Sequence, residues 1–342
     1  MQLRPEYAHL SLITVGAPAP ASWQDAPVAV VGGPRQAFQA QVTAASVLLN
    51  APSRSFPVVV VLHAPDADTV AALDRLGRRL GASLAILDAG PAPDAGPAWR
   101  TDMATRLALP DALDCERLVV LESDVVVQDD ILGIWSEYRA DHVAGGVLDR
   151  AARDWKRAQG RDVPETYVNS GVLLVDCAAW RREHAAVLCR EWLEQHAGNV
   201  HFPFQDSLNA ALSGHIYGID ERWNVTPNEL RRKGVTNIDQ FYEADTFSGI
   251  FHFDGPAPKP WCRWADPWMQ DLYLRYARLV GLPPDFWIEP RSLAEAAAEA
   301  RWAERKGELA RANRLYRTIV DGLLKQQQQQ ARPAEAPPTR LQ

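Results

Sequence analysis

The sequence predicts an α/β fold, a mainly parallel sheet flanked by helices, with a helical appendage at its carboxyl end. Three observations carry this expectation. Between residues 28 and 121, apolar runs of strand length alternate with segments of helical period. One of these runs, Pro57 to Leu62, is apolar and β-branched almost throughout, which suits a strand covered on both faces. Past Trp261 the texture changes, first to clustered aromatics and then to Ala/Glu/Arg-rich stretches. Strand-helix-strand-helix order at this spacing implies a parallel sheet wrapped by helices.

Each element has its own warrant. Residues 1–26 hold one short apolar stretch, Leu10 to Val15, then a Pro/Ala-rich connector from Ala17 to Pro27. They read as a loosely attached N-terminal extension. Val28 to Val31 is a short strand stopped by Gly32-Gly33-Pro34, and Ala37, Ala40, Ala44, Val47 and Leu48 then recur at helical spacing. Asp66 is placed to cap a helix whose Val70, Leu73, Leu76 and Leu80 share one face. Ser83 to Leu87 predicts a strand, Trp99 to Leu109 a helix, and Arg117 to Leu121 a third strand-like run. Strands are expected again at His142 to Leu148 and Val172 to Val175, followed by one long helix from Ala178 to about His196. Ser292 to Leu324 should form two helices. The tail 325–342, which opens with a run of five glutamines after Lys325, reads as disordered. The expected division is thus 1–26, 27–262, 263–324 and 325–342.

Composition excludes several classes of function. The 36 Lys+Arg against 43 Asp+Glu leave a net charge of −7, which argues against nucleic-acid binding. No apolar run approaches the roughly 20 residues that span a bilayer, and no secretory signal opens the chain. Cys115, Cys177, Cys189 and Cys262 lie far apart, so they read as buried thiols of a cytoplasmic protein.

Four segments carry candidate chemistry. Glu122-Ser123-Asp124 follows an apolar strand, and open parallel sheets bind ligands beyond the carboxyl ends of their strands. Two carboxylates there suit Mg²⁺ or Mn²⁺, or equally a plain turn in which Asp124 caps backbone amides. Asn169-Ser170-Gly171 precedes a buried strand, either as a turn or as a polar site with close backbone approach at Gly171. Gln205, Asp206 and Asn209 sit near a helix start, where Asp206 could simply complement the helix dipole. Phe251 to Trp261 combines His252, Gly255 and Lys259 between prolines. His252 alone would suit a core, whereas a stiff Pro-Lys-Pro loop suits a diphosphate.

In order and separation these segments resemble glycosyltransferase family 8, the retaining GT-A enzymes that include lipooligosaccharide galactosyltransferases and glycogenin. The resemblance covers roughly residues 27–262 and rests on several motifs. They are the D-x-D-like Glu122-Ser123-Asp124, Asn169-Ser-Gly-Val-Leu-Leu with Trp180 downstream, Gln205-Asp206 with Asn209, Arg222-Trp223-Asn224, and the closing His252 to Trp261 segment. It implies a GT-A domain over 27–262 that moves a galactose- or glucose-type hexose from a nucleotide-diphosphate sugar, UDP-linked, to a glycan, glycolipid or protein acceptor. It also implies Glu122, Asp124 and His252 as ligands of Mn²⁺, with Mg²⁺ the alternative. Arg106, Ser123, Asn169, Gly255 and Lys259 become donor contacts, Lys259 assisting the departing phosphate. Gln205 falls below the anomeric carbon and, being a poor nucleophile, favours front-face transfer. Asp206 joins it in the catalytic set and helps to orient the sugar, and Asp149 becomes an acceptor contact.

The chain departs from the family pattern at four places. Glu122 replaces the first Asp of D-x-D, and Gly32-Gly33-Pro34-Arg35 stands where the family holds uracil and ribose with Asp and Asn. Phe204 replaces an acid that would grip sugar hydroxyls, and Pro258 is an extra residue before Lys259. Base selection should therefore be weaker than in the family, or fall to backbone carbonyls exposed at the two glycines. These departures leave a competing expectation, a catalytically degenerate fold that binds or scaffolds. A lipid-linked acceptor would place the protein at the inner face of a membrane. Residues 263–325 nevertheless carry 11 basic and 9 acidic residues, too balanced for a polybasic anchor.

Overall fold

The computed structural model describes residues 1–18, 27–54, 56–91, 98–196, 200–235, 240, 249–255 and 257–330. It divides into two compact units, one of Met1–Ala257 with Asp271–Leu282, the other of Pro258–Gln270 with Pro283–Gln342.

The first unit is built on strands β1 (Ser11–Gly16), β2 (Val28–Val31), β3 (Val58–Leu62), β4 (Ser83–Asp88) and β5 (Arg117–Glu122), with β7 (Ala144–Leu148), β8 (Val168–Asp176) and β9 (Ile216–Ile219). Among the described residues they form one sheet of order β1-β4-β3-β2-β5-β8-β7-β9. The pairs β2–β3, β3–β4, β2–β5 and β7–β9 are parallel. Alternate residues of β2, β3 and β4 feed two cores. One core receives α1 (Ala37–Asn50) and α2 (Ala67–Leu80); the other receives α3 (Ala98–Ala112), α5 (Cys177–Arg182), α6 (Ala185–His196) and α7 (Pro203–Ala211). Both faces are covered, as the β-branched runs require. The Asp66 cap is present, its carboxylate accepting from Thr69 N–H at 2.7 Å.

Strand order reverses between β2 and β5. The chain moves one way from β2 to β4, then returns through α3 to β5 on the other side of β2. Such a reversal leaves a crevice at the carboxyl ends, and both the Gly32-Gly33 loop and the Glu122-Ser123-Asp124 turn open there. A short ribbon lies beside that turn, with β6 (Val125–Val127) antiparallel to β10 (Ile250–His252) and Val125 opposite His252. Helix α1 pins the turn with a buried polar face. Thr43 Oγ1 lies 2.9 and 2.8 Å from the carbonyl oxygens of Ser123 and Val125. Ser46 Oγ accepts from Val127 N–H, and Asn50 Nδ2 donates to the Val127 carbonyl.

The structure corrects several sequence expectations. Residues 11–16 are not loosely attached; they form β1, the edge strand paired antiparallel to β4 throughout its length. Leu3 bridges Leu113, and Gly16 N–H donates to Asp74. A half-exposed edge strand shows only a weak apolar pattern, so it reads as a loosely attached extension. Asn169-Ser170-Gly171 is no turn ahead of a strand but lies inside β8, because the Asn209 side chain bonds both N–H and C=O of Val168 and stands in for a neighbouring strand. The expected long helix breaks at His184, whose φ is +53°, into α5 and α6. Residues 19–26 of the connector, Pro256, and residues 331–342 of the tail lie outside the described residues.

In the second unit α10 (Leu293–Arg305) and α11 (Leu309–Gln330) form the two expected helices about Ala296, Ala300 and Leu315. The first unit also holds α4 (Arg150–Ala158), α8 (Pro227–Arg232) and the 271–280 part of α9 (Pro267–Val280). Helix α11 runs on through the glutamines to Gln330, so the tail is helical over 325–330. Fully buried Glu299 is met there by Arg311 of the facing helix. No described helix is long and apolar enough to cross a membrane.

Candidate active site

Glu122, Asp124 and His252 converge, with one ligand atom from each lying within 4.8 Å of the others. The first two flank the turn at the end of β5, and the β6–β10 register sets His252 against it. The backbone closes this arrangement, Phe253 N–H donating to the Asp124 carbonyl and His252 N–H to that of Val225. His252 is buried, and its Nε2 faces Glu122 Oε2 and Asp124 Oδ1 at 3.3 Å each without forming a hydrogen bond among the described residues. Two hard oxygens and one imidazole nitrogen so spaced fit a divalent cation. Neighbouring ligands of an octahedral ion with bonds near ~2.1 Å stand about 3 Å apart.

The second face of the imidazole is held by a chain of amides. His252 Nδ1 lies 3.0 Å from Asn224 Oδ1, and Asn224 Nδ2 donates to Asn169 Oδ1 at 2.8 Å. The amide direction makes Nδ1 the donor and aims Nε2 at the carboxylates. Asn169 Nδ2 then donates to Asp149 Oδ2 and Asp254 Oδ2 at 3.2 and 3.1 Å. Gln205 completes the floor. Its Oε1 accepts from Ser170 N–H at 3.1 Å, and its Nε2 donates to Asp149 Oδ2 at 3.0 Å. Asp149 also caps α4 through Oδ1 and Ala152 N–H. Gly171 is required beneath this layer, because a Cβ there would stand 2.2 Å from His252 Cε1.

Arg106, on α3, donates to Glu122, and its guanidinium lies 5.3 Å from the centroid of Phe204. Phe204 thus backs the arginine. Ser123 Oγ donates to Gln36 Oε1 at 3.2 Å, and the same oxygen accepts from Gly33 N–H at 2.9 Å. The Gly33 carbonyl takes Gln36 N–H. The expectation that both glycines present their carbonyls to a base is therefore revised, since Gln36 folds back over Gly33. Gly255 follows Asp254 with φ +85°. Lys259 belongs to the second unit, where its carbonyl accepts from Cys262 N–H.

Asp206 does not line the cavity formed by Arg106, Glu122, Phe204 and Gln205. It is buried in an ion pair with Lys156, 2.7 and 2.9 Å from Nζ to its two oxygens. It also accepts from Tyr167 Oη at 2.6 Å and from the backbone N–H groups of His201 and Phe202 at 3.2 and 3.1 Å. With both oxygens so engaged, a role in gripping substrate is replaced by a structural one. Lys156→Ala leaves this carboxylate buried without its counter-ion and is expected to cost about 3 kcal/mol of stability, read from urea unfolding. A loss under 1 kcal/mol contradicts the assignment.

Neighbouring charges set the protonation preference of the triad. Burial raises the Glu122 carboxyl, but the Arg106 guanidinium and His252 outweigh it and hold it at about 2. Burial lowers the His252 imidazole, but Asp124 and Glu122 outweigh that and push it up to about 10. An imidazole so favoured to carry a proton at Nε2 must give it up before a metal can bind there. Affinity for Mn²⁺ is expected to rise with pH, by up to about tenfold per unit below pH 10. A raised histidine stabilises the metal-free fold fully below its unfolded value of 6.5 and ceases to as pH climbs through 10. The melting-temperature gap between metal-loaded and metal-free protein should widen across that window. A gap that narrows contradicts the arrangement.

Neither Asn224 nor Asp254 was singled out from sequence as a site residue. Asn224 stood inside the Arg222-Trp223-Asn224 turn, and Asp254 two residues after His252.

Comparison with known proteins agrees with this geometry. A family model described as glycosyl transferase family 8 matches residues 1–265. General stress protein A of Bacillus subtilis (strain 168) is 28% identical over 182 residues, 50% of this chain and 63% of that protein. Lipopolysaccharide 1,2-glucosyltransferase of Escherichia coli (strain K12) is 28% identical over 159 residues, 45% of this chain and 46% of that protein. The matches thus span less than two thirds of either relative. The solved galactosyltransferase LgtC, in complex with donor and acceptor sugar analogs, has a TM-score of 0.62 at 24% identity over 76% of this chain and 98% of its own. That likeness establishes the GT-A fold. With the family model spanning the sheet and the whole Glu122, Asp124 and His252 constellation, the chain belongs to glycosyltransferase family 8.

Proposed function

We propose that the chain is a metal-dependent, retaining hexosyltransferase that takes a galactose- or glucose-type sugar from a UDP-linked donor to a glycan acceptor. The observation that carries this reading is the cation-ready triad standing over an ordered amide and carboxylate floor. Mn²⁺ suits a set of two carboxylates and an imidazole, with Mg²⁺ the alternative. When bound, the ion neutralises charge on the diphosphate leaving group. Arg106 adds positive charge for the same group. A cavity of about 200 Å³ lined by Arg106, Glu122, Ser170, Phe204 and Gln205 holds the donor sugar. A second of about 450 Å³, lined by Asp149, Arg150, Asp154 and Thr226, takes the acceptor. Both include Asn169 and Asp254, so the two sugars meet at the residues that carry the floor. Gln205 is a neutral amide fixed at both ends, a poor nucleophile. Its position supports front-face transfer, in which the leaving phosphate oxygen assists the incoming hydroxyl. Intact ligands, their amide support and the floor together weigh against a degenerate scaffold.

Thermal-shift titration with UDP-, GDP- and ADP-linked hexoses, with and without Mn²⁺, tests this reading. Stabilisation by a UDP-sugar only when Mn²⁺ is present is the expected result, followed by transfer to an acceptor panel. No stabilisation by any donor overturns it. Base preference should be shallow. The loop after β2 offers no carboxylate for the uracil N3–H, and a site without that acceptor discriminates weakly. UDP should bind about tenfold tighter than GDP. A ratio of several hundredfold would mean that another acceptor recognises the base.

A further inference from the structure

We infer that the exposed aromatic rim of Trp155, His201 and Phe202 is a platform for the sugar rings of a glycan acceptor. The choice of occupant rests on the transferase reading above. Trp155 on α4 is 45% exposed and Phe202, just ahead of α7, is 44% exposed. The Trp155 and His201 rings meet edge to face with centroids 4.8 Å apart, and Phe202 lies 6.4 Å from Trp155. Large aromatic side chains left exposed as a group mark an interaction site.

The surroundings select the partner. Trp155 follows Asp154, and on the same helix Arg153 and Arg157 pair with Glu165. An acyl chain or apolar peptide would strand these charges. A pyranose instead offers an apolar C–H face edged by hydroxyls, which suits an aromatic face with a polar border. The rim also continues into the site. Phe202 lines the smaller cavity with Glu122 and His252, and Asp154 lines the larger one with Asp149. A sugar chain lying on the rim therefore leads directly to the point of transfer.

The buried Lys156–Asp206 pair now has a purpose. Lys156 comes from the helix that carries Trp155, and its Nζ stands 5.1 Å from the Phe202 centroid. Asp206 takes the N–H groups of His201 and Phe202. The pair thus locks helix and loop into one shelf, so that binding need not order either part. Asp206 acts as a positioning residue.

Saturation-transfer NMR on the full chain tests the platform, with lactose, maltotriose and chitobiose as probes in the presence of Mn²⁺ and UDP. The expected result is transfer to ring C–H protons of at least one probe. Trp155→Ala should weaken that binding at least tenfold, Trp155→Phe should retain most of it, and both variants should bind UDP with Mn²⁺ as the wild type does. Equal sugar binding by Trp155→Ala overturns the platform, as does a wild-type protein that binds none of the probes. Trp155-dependent binding to phosphatidylglycerol vesicles in place of sugars also overturns it. Trp155-dependent sugar binding in a chain that ignores UDP and Mn²⁺ would uphold the platform and remove the transferase reading.

Discussion

Asp124→Ala is expected to lower transfer by about a thousandfold or more at saturating donor, while the fold stays intact. Its carboxylate is one of two oxygens aimed at His252 Nε2, and the remaining pair cannot hold an ion of this class tightly. Backbone geometry should survive, because the turn is held by Thr43 and by the Phe253 N–H bond to the Asp124 carbonyl, neither of which needs the side chain. Glu122→Ala is the poorer test. It would strip Arg106 of its counter-ion and mix loss of metal with loss of stability. Initial rates should be followed as Mn²⁺ is raised to millimolar concentrations. Partial recovery at high Mn²⁺ fits a weakened site. Activity within tenfold of wild type at ordinary Mn²⁺ would show that the triad does not hold the working ion.

Much of this arrangement was legible in the sequence, and the parts that were not share a physical character. The ends of β2 and β5 could be placed because buried parallel strands announce themselves as unbroken apolar runs, and their carboxyl ends are where ligands collect. The polar face of α1 was silent. Thr43, Ser46 and Asn50 are spaced like surface residues, and only the backbone of 123–127 packed against them shows why they turn inward. Asp206 was misread for a related reason. An acid in the first turn of a helix has a sufficient local explanation, whereas its partner Lys156 lies 50 residues earlier on another helix. The edge strand β1 and the length of β8 were missed because tertiary partners, β4 and the Asn209 side chain, supply what their own sequences lack. Local periodicity reports what a segment buries, not what it bonds to.

Gly171→Ala should remove the metal site without replacing any ligand. Gly171 lies in β8 beside Val172, which pairs with Leu121 at the end of β5. The imidazole of His252 rests against its α-carbon. A methyl group there would stand 2.2 Å from Cε1 and 2.5 Å from Nδ1, closer than packed atoms tolerate, and a tight 3.0 Å from Nε2. The strand cannot yield, since it is central in the sheet and fully buried. The ring must move instead, and its displacement breaks the Nδ1 bond to Asn224 and carries Nε2 away from both carboxylates. Affinity for Mn²⁺ should fall by more than about a hundredfold, as when the support of a ligand is lost. Overpacking should cost a further ~1–3 kcal/mol of stability. Calorimetric titration of Mn²⁺ and urea unfolding of the metal-free protein separate the two effects. His252→Ala in the Gly171→Ala background makes the argument sharper, because without the ring the methyl group has room. The double variant should regain the stability lost by Gly171→Ala while remaining unable to bind Mn²⁺. If it stays as unstable as the single variant, the strain lies elsewhere and the contact between strand and imidazole is not what requires glycine.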